Sequence, residues 1–250
     1  MVTTPVRTRP RTILVVALVA AALLLAGLAL VDPTAAQSEP ATTTTAATRP
    51  ATSGEAAAQT APAPAARAGF RVAFVGDSIG HSAEPQVRQA RGDQYRLTNY
   101  DSVNGSTIAD HRTAVARLLQ SASRPEILVI ELGTNDAEQH GPRRFDRDLR
   151  AMLDLVSPRV AEVRWFDQKD TPTGYYRGVD RHAAKFNRIL RAVASRYPNV
   201  SVVPYAAWAR SAPPGSFLAD RLHLSAPGRQ AFARITGNAI DQAAAELTAS

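Results

Sequence analysis

The chain contains no cysteine, which excludes disulfide cross-links, a lipid-modified cysteine, thiolate catalysis and cysteine metal sites together. Lysine is nearly missing too: of 29 Lys and Arg residues only Lys169 and Lys185 are lysines, and the arginines are scattered along the chain. The clustered basic stripe that nucleic-acid binding requires is therefore not there, and no nucleic-acid partner is expected. His-Glu-x-x-His, Gly-x-Gly-x-x-Gly and a Gly-Lys-Ser/Thr loop do not occur either. Their absence argues against a zinc-hydrolase site and a phosphate cradle, so neither a metal nor a cofactor is expected. His81, His111, His140 and His182 have no partner that can be named from sequence and read as surface or loop residues.

What is present divides the 250 residues into three parts. In residues 1–36, Arg7, Arg9 and Arg11 precede an uncharged apolar run over 13–31, which as a helix would reach about 28 Å. This run reads as a membrane anchor or as a signal peptide with a small-x-small cleavage site at Thr34-Ala35-Ala36. Either reading leaves the arginines in the cytoplasm and exports the rest, whether membrane-anchored by 13–31 or released after cleavage near Ala36. Membrane contact is expected only through this segment. Residues 37–67 collapse to 11 Ala, 7 Thr and 4 Pro out of 31, a disordered tether that cannot bury enough apolar area to offset its ordering entropy. The remaining 68–250 form one domain, expected to be monomeric.

Within that domain, strand and helix signals alternate. Strands are expected at 70–75, 95–100, 126–132, 160–166 and 200–205, and helices at 84–91, 108–120, 144–156, 181–196 and 227–248. Strict alternation implies parallel strands with right-handed crossovers, hence a three-layer α/β/α sandwich around a mostly parallel five-stranded sheet, flavodoxin-like in plan. Ligands of such sheets bind at the carboxyl ends of the strands.

Those ends carry the polar motifs. Gly76-Asp77-Ser78-Ile79 follows the first strand, Asn104-Gly105-Ser106-Thr107 the second, and Gly133-Thr134-Asn135-Asp136 the third; Asp220-Arg221-Leu222-His223 precedes the last helix. Gly76 to Gly80 also fits Gly-x-Ser-x-Gly, the nucleophile elbow of α/β-hydrolases. That assignment fails, because the elbow follows several strands and this serine follows the first. The four blocks, in this order over 76–223, resemble those of the SGNH/GDSL hydrolase family: Gly-Asp-Ser, a glycine, Gly-x-Asn-Asp and Asp-x-x-His.

The resemblance implies a serine hydrolase in which Ser78 attacks a carbonyl, His223 moves the proton and Asp220 orients the imidazole. It further implies an oxyanion hole from the backbone N–H groups of Ser78 and Gly105 and the side-chain amide of Asn135. Read alone, Ser78 could equally cap a helix. Asp77 would hold its loop by local hydrogen bonds, and Asp136 would be a turn residue. Lys169, Tyr175, Tyr176 and Arg177 fall in the long segment after the fourth strand, where the tyrosines could stack on a sugar and the cations attract an anionic acceptor; an ordinary wet loop is the rival reading. Residues 211–218 are expected to position the Asp220–His223 turn. No long apolar lid segment interrupts the domain, which points to a small acyl group. The expected function is an exported esterase acting on a small ester or an acylated glycan. A cell-envelope O-acyltransferase with the same triad, and a non-catalytic surface binding domain, are the alternatives.

Overall fold

The structure, a computed structural model, describes residues 69–90 and 95–249, all within the compact unit Thr60–Ser250. The expected anchor or signal segment and tether lie outside the described residues. Among the described residues no helix is long and apolar enough to cross a membrane.

Five strands form one fully parallel sheet: β1 (Arg71–Gly76), β2 (Arg96–Ser102), β3 (Ile127–Glu131), β4 (Glu162–Phe166) and β5 (Val200–Val203), in the order β2-β1-β3-β4-β5. The central strands β1 and β3 are near-continuous apolar runs buried on both faces, as strands covered by two helical layers must be. Strand β2, at an edge, is only half-buried.

Among the described residues seven helices connect and cover the sheet: α1 (Ser78–Gln89), α2 (Ile108–Gln120), α3 (Thr134–Gln139), α4 (Pro142–Val156), α5 (Arg177–Ala194), α6 (Tyr205–Ser211) and α7 (Ala226–Ala249). The chain reverses direction across the sheet after β2, so right-handed crossovers put α1 on one face and α2, α4 and α5 on the other. Helix α7 joins α1, and α2, α4 and α5 pack side by side. Phe232 of α7 meets Phe74, Phe166 and Tyr205, tying the last helix to the core under the strand ends.

Two boundaries and two short helices differ from expectation in ways that matter for the site. Helix α1 starts six residues earlier than its apolar pattern suggests, because Asp77 caps it by accepting a hydrogen bond from the Ile79 N–H at 2.9 Å. Helix α5 starts at Arg177, so that residue opens a helix and is not part of the preceding loop. The short helices α3 and α6 have too few turns to show a period.

Candidate active site

The sheet reverses its winding at β1 and β3, and the loops after these two strands face each other across the carboxyl edge. Ser78 is the first residue of α1 and Asn135 lies in the first turn of α3. His223 comes from far along the chain, held by a small closed loop: Phe217 bridges Leu224, and the Leu218 N–H donates to the His223 carbonyl at 2.8 Å. The 211–218 stretch thus does position the acid–histidine turn. The start of α7 lies flat on it, since a Cβ at Gly228 would stand 1.9 Å from the Ser216 carbonyl oxygen.

The three residues form a hydrogen-bonded line. Ser78 Oγ is 2.9 Å from His223 Nε2, and His223 Nδ1 is 2.6 Å from Asp220 Oδ2. Asp220 Oδ1 accepts from the backbone N–H groups of Leu222 and His223, both at 3.0 Å. Partial burial by itself would raise the Asp220 pKa, but the hydrogen bonds from the His223 ring and the two N–H groups outweigh it and hold the carboxyl below its ordinary value. Arg221, between acid and histidine, has φ 56°, the one non-glycine residue in the left-handed region among the described residues.

Ser78, Gly105, Asn135 and His223 line one cleft of about 470 Å³, together with Leu218 and Arg229. Gly105 adopts φ 78°, which suits glycine, and Gln139 Nε2 donates to its carbonyl at 3.2 Å. Asn135 Nδ2 donates to Asp77 Oδ2 at 3.1 Å. An amide nitrogen carries two hydrogens, so this bond leaves one for a ligand while fixing the side chain. Gly133 holds φ 128° immediately before α3, and a Cβ there would stand 2.2 Å from Gln168 Nε2.

Of the residues after β4, Tyr176 alone reaches the line: its hydroxyl donates to Asp220 Oδ2 at 3.4 Å and its ring lies 6.0 Å from the His223 ring, edge-on. Tyr175 is 65% exposed, and neither it nor Arg177 lines the cleft. Tyr175 and Arg177 thus stand outside the cleft itself, with Arg177 as the first residue of α5.

The sequence reading missed what supports the cleft. Glu131, the last residue of β3, is buried; its Oε2 accepts from the N–H of Gly80 at 2.9 Å and of Asp77 at 3.3 Å. Burial raises the Asp77 pKa to about 7 and pushes Glu131 well above the carboxylate range. Two buried carboxyls this close disfavour each other's ionisation, so the pair holds its protons to higher pH than free carboxyls do. The only sequence signal was a lone acid closing an otherwise apolar strand. Asp136 is likewise no turn residue: buried in α3, it accepts from the Ile108 N–H at 3.0 Å, tying α3 to α2, and burial raises its pKa to about 6.

His111 is not a loop residue. It lies on the buried face of α2 with Ile108, Val115 and Leu119, its Nε2 2.8 Å from Ser106 Oγ and its Nδ1 3.2 Å from Asp101 Oδ2. His81 is exposed on α1 at the cleft, His140 ends α3, and His182 stacks on Phe186. Among the described residues no group of three or more His, Cys, Asp or Glu is placed to hold a metal ion.

Comparison with known proteins identifies the family and the fold. The model of the GDSL-like Lipase/Acylhydrolase family matches residues 74–231. Similar solved structures include the C-terminal catalytic domain of Streptococcus pneumoniae peptidoglycan O-acetyltransferase A, at 17% identity and TM-score 0.56, covering 71% of this chain and 96% of that one. An acetylxylan esterase from Geobacillus stearothermophilus matches at 18% identity and TM-score 0.56, covering 69% and 94%. A lipase/acylhydrolase from Enterococcus faecalis matches at 18% and 0.56, covering 68% and 95%. At these identities the likeness is one of fold. No curated protein matches the sequence.

Proposed function

The chain belongs to the GDSL-like lipase/acylhydrolase family and is a carboxylic ester hydrolase by class; from that premise we propose that it is an exported esterase that removes a small acyl group from acylated carbohydrate through an acyl-serine intermediate. The observation that carries the proposal is the unbroken line from Ser78 Oγ through His223 to Asp220, at 2.9 and 2.6 Å, opening on a cleft that also contains Asn135.

In this mechanism Ser78 Oγ attacks the ester carbonyl carbon as its proton passes to His223 Nε2. Asp220 accepts from His223 Nδ1, which keeps the tautomer that leaves Nε2 free to take the proton and stabilises the imidazolium. The oxyanion is met by the second Asn135 amide hydrogen and the N–H groups of Ser78 and Gly105. His223 then protonates the departing alkoxide, leaving acyl-Ser78 and a free alcohol. Water, deprotonated by His223, attacks the acyl carbon; the proton returns to Ser78 Oγ and the carboxylic acid leaves.

A small acyl group fits a cleft walled by Ser82, Asn104 and Arg229 beside Leu218 and Leu224, a mixed surface with little to shelter a long chain. The proposed substrate class is also that of the acetylxylan esterase of similar fold. If the apolar run over 13–31 exports the domain on the 37–67 tether, a polymer at the cell envelope is within its reach. Transfer of the acyl group to a sugar hydroxyl is the second reading, since the fold is shared with a peptidoglycan O-acetyltransferase domain and the acyl-enzyme is common to both. p-Nitrophenyl acetate hydrolysis by the full chain, compared with Ser78→Ala, tests the nucleophile: activity and fluorophosphonate labelling that survive the substitution overturn the assignment. Product analysis with and without a glycan acceptor separates hydrolysis from transfer.

A further inference from the structure

A second groove, of about 330 Å³, runs alongside the catalytic cleft. Leu218, half-exposed, lines both. The groove's walls are Pro172, Pro213 and Phe217, and its charged residues are Lys169 and Arg221. Lys169 is buried to 4% exposure. Its ammonium sits 5.3 Å over the Phe217 ring and gives hydrogen bonds to the Thr171 carbonyl and hydroxyl, leaving the third of its three donors. Burial lowers its pKa, and Arg221 adds to the lowering.

The acids whose field reaches Lys169 are Asp170 and Asp180, and each is occupied elsewhere. Asp170 pairs with Arg210 at 2.8 Å, and Asp180 accepts from the N–H groups of Thr173 and Gly174. Lys169 and the exposed Arg221 thus both line a groove whose own lining holds no carboxylate, so an anion entering it meets two cations and no acid of the lining. Arg221 also has a left-handed backbone. Strain of this kind persists where the surroundings impose it and clusters at ligand sites. It lies between Asp220 and His223, so a ligand on Arg221 is one residue from the catalytic acid.

We propose that this groove binds an anionic group, a carboxylate or phosphate, on the same glycan chain whose ester enters the catalytic cleft, so that the substrate is an acidic acylated polysaccharide bridging Leu218. The inference deepens the esterase reading and rests on it only for where the ester lies. The proline and phenylalanine walls give sugar rings apolar faces to lie on, and the guanidinium fork suits a planar carboxylate.

The test is equilibrium binding to the full chain by calorimetry, with tetragalacturonate and xylotetraose as acidic and neutral probes. At about 20 mM salt the acidic tetramer should bind about tenfold more tightly, and the advantage should shrink at about 500 mM. Arg221→Asn, which tolerates the left-handed backbone, and Lys169→Gln should each cut that ratio about threefold. Equal affinity for both probes, or an acidic preference that both variants retain, overturns the inference. Free galacturonate binding as tightly as the tetramer would mean a small-anion site, and the polysaccharide reading fails. p-Nitrophenyl acetate turnover on the same preparations keeps the two proposals apart: activity surviving Ser78→Ala removes the esterase assignment and leaves the binding ratio to stand or fall alone.

Discussion

Two Ser–His–Asp lines run through this domain with the same order of atoms. In one, Ser78 Oγ, His223 and Asp220 are joined at 2.9 and 2.6 Å; in the other, Ser106 Oγ, His111 and Asp101 are joined at 2.8 and 3.2 Å. The first opens on the cleft, with the His223 side chain 27% exposed. The second is sealed: the His111 side chain is 3% exposed, and the Ser106 hydroxyl also donates to the Val103 carbonyl at 2.7 Å. A nucleophile must meet a carbonyl carbon and keep its proton for the base. Ser106 does neither, so the same three residue types act there as a brace for the Gly105 loop. Constellation alone does not make a catalytic triad; access and the competing partners of the hydroxyl decide.

The sharpest break of this comparison is the paired serine test. Ser78→Ala should lower p-nitrophenyl acetate turnover by at least about 10³-fold, whereas Ser106→Ala should stay within about tenfold of wild type. Equal losses would mean that the sealed line takes part in chemistry. Next in size, Asn135→Ala should reduce kcat by about 10²-fold with KM little changed, because the amide acts on the oxyanion more than on the bound ester. A loss confined to KM would place Asn135 in ground-state binding instead.

The histidines should separate stability from activity. His111→Ala leaves buried Ser106 without its ring partner and should cost about 2 kcal/mol, lowering Tm by about 5 °C. His223→Ala should abolish turnover while Tm holds within about 2 °C. Thermal melts of the two variants side by side check both.

The smallest effect is a pH slope from the carboxyl pair beneath Ser78. Below the ordinary aspartate value of 3.8, Asp77 is protonated folded and unfolded, so its burial carries no ionisation cost. Above it the unfolded chain ionises first, and stability is lost as pH rises toward the folded value of about 7. Asp136, raised to about 6, adds in the same direction. Glu131→Gln keeps a donor for Asp77 but removes one titrating group, so the fall in Tm between about pH 4 and 7 should shrink by about 3 °C. An unaltered slope would mean that Glu131 does not share the pair's proton.

Much of the architecture could be read directly from the chain. Apolar runs such as the one ending at Gly76 and the one ending at Glu131 mark buried parallel strands, and their alternation with helical patterns implies the sandwich. The Ser78, Asn135, Asp220 and His223 motifs are legible because each combines a turn-forming residue with a reactive one. The starts of α1 and α5 were not legible: a helix's first turn is set by capping, here Asp77 for α1 and, for α5, Glu138 accepting from the Gly178 and Val179 N–H groups. His111 was misplaced because its spacing from Ile108 and Val115 marks an apolar face, and a histidine there is explained only by partners on another segment.

Sequence alone determined the strand count and the parallel plan, because these follow from local periodicity, and its four short motifs pointed to Ser78, Asp220 and His223 through the family they resemble. Only the tertiary structure decided which carboxyls are ionised, which hydroxyl is free to attack and which cations share a groove. Those properties depend on burial and on partners up to 145 residues apart, as Ser78 and His223 are, and no local pattern encodes what the fold brings within 3 Å.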